Sequence, residues 1–74
     1  MTDTMKQVCD KAVHEAAIAR DEVANICSIL KVQEQHLEGV AHRRVVAQRE
    51  VLDDAKGALS RAIYLINHAE TIGV

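Results

Sequence analysis

Two heptad patterns run along this chain, and they do not share a phase. In the first half Cys9, Ala16, Val23, Leu30 and Leu37 recur at every seventh residue, with Ala12, Ala19, Ile26, Gln33 and Val40 at the companion position. In the second half Val45, Leu52, Leu59 and Ile66 recur in the same way, with Gln48, Ala55, Ala62 and Ala69 between them. Sustained apolar spacing of this kind is a helical period, and no stretch alternates apolar and polar residues as a half-buried strand does. Continued past Val40, the first pattern would next reach Arg44, yet the second starts at Val45. A break therefore separates them, and Gly39 sits at its centre.

The fold class this implies is all-α: an antiparallel two-helix hairpin, coiled-coil-like and alanine-rich, turning near Gly39. Residues 1–74 form one domain, with a first helix over about 3–36, a turn over about 37–41 and a second helix over about 42–72. Thr2, Asp3 and Thr4 offer amino-terminal caps, Thr4 and Gln7 have capping-box spacing, and Gly73 is the expected stop. Folding the chain at Gly39 sets Cys9 against Ala69, Ala19 against Leu59, Ile26 against Leu52, and Gln33 against Val45. Several of these layers match a small residue with a large one, which suits interdigitated packing. Gln33 and Gln48 interrupt the expected core near the turn, either to fix register through a buried hydrogen bond or because that end is wet. The rival architecture is one continuous helix, which only Gly39 and Gly57 oppose in a chain without proline.

Size limits what such a hairpin can achieve alone. A chain of 74 residues buries only about 60% of its unfolded surface and usually needs a disulfide, a metal or a partner. Apolar residues make up 49% of the sequence, but Ala and Val dominate them, and Tyr64 is the only aromatic residue. Cys9 and Cys27 would lie about 27 Å apart on one helix, too far for a disulfide, so both read as thiols in an intracellular setting. The amino terminus lacks the basic-then-apolar order of a signal peptide, and no run is apolar enough to span a bilayer. A cytoplasmic protein that does not engage a membrane is the expectation.

The second helix carries more apolar surface than one neighbour can cover. Beside the core stripe stands another, Val51, Ala58, Leu65 and Ile72, and the first helix has a partial counterpart in Val8, Val13, Cys27, Ile29 and Val32. A wide apolar face on a two-helix unit needs another copy or another protein. The simplest closed solution is a homodimer forming a four-helix bundle, with Val51, Ala58, Leu65, Ile72 and Ile29 at the oligomer interface. A larger ring, or docking on a foreign partner, would use the same face.

Polar residues offer fewer commitments. Tyr64 beside Arg61, Ile63 and His68 has the composition of a binding hot spot, so these four are the candidate contacts for another protein. The strongest positive cluster, Arg43, Arg44 and Arg49 with His42, follows the turn, where arginine forks and a helix start suit an anionic ligand, a nucleotide or nucleic acid. The bland reading is that this cluster solvates the turn while Arg49 pairs with Asp53. A net charge of −2 does not favour a general polyanion binder. His14, His36, His42 and His68 invite a metal, with Glu34 and Glu38 nearby at the turn, but none has core-facing ligand spacing, and solvated histidines are expected. No metal and no cofactor are assigned.

No nucleophile sits beside a base in a catalytic motif, and no glycine-rich phosphate loop is present. The functional expectation is a non-enzymatic interaction module: an adaptor, an assembly chaperone or a small inhibitor, of which a phage-type inhibitor is one compatible form. The alternative is an anion or nucleic-acid binder using the basic cluster. A purely structural oligomer is the third.

Overall fold

The computed structural model describes residues 3–72 as two long helices, α1 (Asp3–Glu34) and α2 (Gly39–Ile72), packed against each other as a hairpin. Asp3 lies in the first turn of α1 and Lys31 in its last, each placed where its charge complements the helix dipole. Thr4 stands inside α1, one residue beyond its first described position, and does not cap it. The caps expected at Thr2 and Gly73 lie outside the described residues.

The turn spans 35–38 and falls earlier than the sequence pattern placed it. At its start the Gln35 and His36 N–H groups donate to the Val32 and Gln33 carbonyls, at 3.2 and 3.0 Å. Such three-residue bonds tighten a last helical turn and satisfy carbonyls that α1 leaves open. Gly39 opens α2 with φ of +64°. That left-handed value is cheap for glycine and costly for any residue with a Cβ. Gly39 therefore sets the exit direction of the turn from its last corner, not from its centre.

The helices meet along a seam rotated from the one that hydrophobicity alone selects. On α2 the half-buried row of Leu52, Leu59 and Ile66 with buried Val45 is as expected, and Ala55 and Ala62 are half-buried beside it, but Arg49, Lys56, Ile63 and Glu70 are half-buried on its other side. On α1 the row of Cys9, Ala16, Val23 and Leu30 keeps half-buried Ala12 and Ala19 on one side and is joined on the other by Val13, Arg20, Cys27 and Glu34. Ile26 and Gln33 are exposed, as are Gln48 and Ala69. Gln33 and Gln48 thus meet water at a wet turn end and hold no buried register bond.

The physical reason is that long amphipathic side chains close one edge of the seam. Arg20, Arg49 and Lys56 are half-buried there; such stems cover apolar surface while their heads reach solvent. Cys27 and Val45 are the buried residues among those described, at 3% and 8% exposure.

The resulting molecule is a rod of 55 × 16 × 11 Å with a radius of gyration of 16.8 Å. A compact chain of this length would have a radius near 11 Å. A hairpin of this shape has a seam but scarcely a core.

Candidate functional site

Rotation of the seam gives the hairpin two unlike faces. One is polar and tied together. The Arg49 guanidinium donates through Nε to Glu34 Oε1 at 2.7 Å and through Nη1 to Asp53 Oδ2 at 3.1 Å. Glu34 sits at the end of α1 and Asp53 one turn beyond Arg49, so a single fork bridges the turn and binds the two helices. Its contact with Glu34 raises the Arg49 pKa further above its already high ordinary value. Burial first, then the neighbouring Asp53 carboxylate, push the Cys27 thiol pKa up. Asp53 is held below the ordinary carboxylate range, first by the Cys27 thiol and then by Lys56 and Arg49. Cys27, at 3% exposure, packs within the seam.

The other face is apolar and open. A groove runs between the helices near the turn, lined by Ile26, Leu30, Ala47, Val51 and Leu52, with Arg44 and Gln48 at its polar edge. Ile26 is 45% exposed and Val51 67%. Heptad spacing carries the same face down both helices, through Ala19 and Ala12 on α1 and through Ala58, Leu65 and Ile72 on α2. Leu65 and Ile72 are 47% and 72% exposed. Ile29, also exposed, lies just outside this stripe at the outer edge of α1.

The groove residues Ile26, Leu30, Gln48 and Leu52 belong to the core positions of the sequence pattern and were not readable as a surface. The apolar row of the sequence pattern is flanked on each helix by alanines on one side and by a mixed row with long charged side chains on the other, so hydrophobic periodicity alone selects the alanine side. The signal that separates them is the polar set at 49, 53 and 56, whose side chains can reach across a seam where alanines cannot.

The remaining candidate residues are distributed as follows. Tyr64 and His68 stack with ring centroids 6.2 Å apart and planes 3° from parallel, a common aromatic arrangement. Arg61 is exposed one turn before them, while Ile63 is half-buried in the seam and so stands apart from this group. In the basic cluster Arg43 and Arg44 are exposed, His42 is half-buried, and the Arg49 fork is already occupied by two carboxylates. Arg44 borders the apolar groove and Arg43 does not. Among the described residues no group of three or more His, Cys, Asp or Glu side chains converges to hold a metal. No helix among them is long and apolar enough to cross a membrane.

Comparison of the chain with protein-family models, curated proteins and solved structures yields no match.

Proposed function

We propose that this chain is a non-enzymatic protein–protein interaction module, a helical hairpin that self-associates through its open apolar face and offers its outer α2 surface to another protein. The observation that carries this reading is the groove between Ile26, Leu30, Val51 and Leu52, continuous with the exposed Leu65 and Ile72. With only Cys27 and Val45 buried among the described residues, the hairpin has little stabilisation of its own at roughly 25 cal/mol per Å² of apolar burial. A four-helix bundle is the simplest closed assembly that covers such a face.

Tyr64 and His68 on the outer side of α2 remain accessible in that assembly's simplest form and, with Arg61 at its rim, are the proposed contact for a second protein. Anion or nucleic-acid binding is supported by Arg43 and Arg44 alone, because the Arg49 fork is taken up within the hairpin. Light scattering behind size exclusion over a wide concentration range tests the proposal. A mass of twice the 8.2 kDa chain or a higher closed multiple is expected; a monomer at every concentration would overturn self-association.

A further inference from the structure

The area left open points to a second copy of this chain as the occupant. The hairpin exposes 5539 Å², whereas a compact protein of 8.2 kDa exposes about 4,500 Å². The excess, about 1,000 Å², is close to the roughly 800 Å² each partner contributes to a stable interface.

How that copy docks follows from the levels of residues along the rod. Cys27 faces Asp53 and Asp10 faces Glu70 across the hairpin. Counting outward from either pair sets Ala19 level with Arg61. By the same count Leu65 stands level with Glu15, Ala58 with Glu22, and Val51 with Ile29. The α1 stripe (Ala12, Ala19, Ile26, Gln33) and the α2 stripe (Leu65, Ala58, Val51, Arg44) are therefore staggered by about half a heptad along the rod.

We infer that two hairpins dock face to face with turn beside turn, about a two-fold axis along the rod, so that α1 of one copy lies antiparallel on the partner's α2. This inference rests on the self-association proposed above. In that arrangement the partner's Leu65 enters between Ala12 and Ala19, the partner's Ala58 between Ala19 and Ile26, and the partner's Val51 between Ile26 and Gln33. The large Leu65 meets two small alanines as a knob in a hole, and at the turn end polar Gln33 meets the partner's Arg44.

Charge selects the same docking. Glu15 and Glu22 border the α1 stripe, and Arg61 borders the α2 stripe at the level between them. Turn-beside-turn docking brings each Arg61 to the partner's Glu15 and Glu22. The opposite docking, turn beside open end, lays α1 on the partner's α1 and sets Glu15 beside the partner's Glu22 and Arg61 beside the partner's Arg61. Like charges at an interface are penalised, and complementary ones fix its register. Neither Arg61 nor Glu22 forms an ion pair within the hairpin among the described residues.

The test is a distance measured in the full chain. A nitroxide attached at position 35 through a ketone-bearing side chain leaves Cys9 and Cys27 untouched and sits in the exposed turn. Pulsed dipolar spectroscopy on the dimer is expected to give a separation on the order of 20 Å, about two helix diameters. A separation near the 55 Å length of the rod in a dimer of confirmed mass would overturn the docking while leaving self-association standing. A monomer would overturn both. Glu22→Arg gives an independent reading through the dimer dissociation constant: it should weaken the dimer roughly fivefold, and adding Arg61→Glu should restore most of the loss. Tightening by Glu22→Arg alone would sink the proposal, because only the opposite docking places Glu22 beside an acid.

Discussion

Arg49 does at the scale of one side chain what the sequence could only half announce. Its pairing with Asp53 follows from four-residue spacing on a helix, and the structure has it at 3.1 Å. The shorter bond, 2.7 Å to Glu34, joins residues brought together by the turn and has no local signature. The far end of the hairpin shows the opposite balance. Glu70 lies close to Asp10, and its Oε1 is buried without a hydrogen-bond partner. Burial first, and then Asp10, hold its carboxyl above the ordinary glutamate range, with Lys6 opposing them. The sign is that of an acid favoured in its neutral form: its stabilising contribution is complete below the ordinary value and is lost as pH rises through the raised one. Asp53 behaves inversely, contributing above the ordinary aspartate value and losing that contribution as pH falls through its lowered one. Thermal unfolding followed by circular dichroism should accordingly give Glu70→Gln a higher Tm than the parent at neutral pH, with the difference shrinking as the solution is acidified into the glutamate range. Asp53→Asn should be destabilised at neutral pH and should converge on the parent only at lower pH. A Glu70→Gln variant no more stable than the parent at pH 7 would mean that the Asp10–Glu70 contact relaxes in solution.

At the scale of the element, the existence of two helices and of a break between them was legible, because a seven-residue period and a phase jump are properties of sequence alone. The rotation of each helix about its own axis was not. Ala12, Ala19 and Ile26 form a more apolar row than Val13, Arg20 and Cys27, so hydrophobicity alone selects the alanine side. Reach decides between them, since the stems of Arg20, Arg49 and Lys56 can close one edge of the seam. The two described glycines separate backbone effects from packing. A Cβ at either Gly39 or Gly57 would meet nothing within 4 Å, so a substitution acts through conformation alone. At Gly39, with φ of +64°, alanine should cost about 1–2 kcal/mol for occupying the left-handed region. At Gly57, inside α2, alanine should stabilise by about 1 kcal/mol. Chemical denaturation of the two variants should move the midpoint in opposite directions with unchanged slope; movement in the same direction would show that the turn is not held as described.

At the scale of the whole molecule, a rod with two buried residues among those described has scarcely a core, so a partner on the apolar face would add substantially to its stability. If a second copy covers it, folding and association are one equilibrium, and Tm depends on protein concentration. The parent chain should therefore melt at rising temperature as concentration is raised across two or three decades. Leu65→Glu should remove that dependence, because its side chain points into the face and not into the seam: Leu65 is 47% exposed in the hairpin. A matched change on the outer surface, Tyr64→Glu, alters an even more exposed position, 67%, and should leave the concentration dependence intact. The pair separates two causes that a single variant would confound. A local effect of the added negative charge on the helix would affect both, since they are neighbours in one helix, whereas loss of a partner would affect Leu65→Glu alone. A Tm independent of concentration in the parent itself would mean that the seam suffices and that the face is kept open for a different protein.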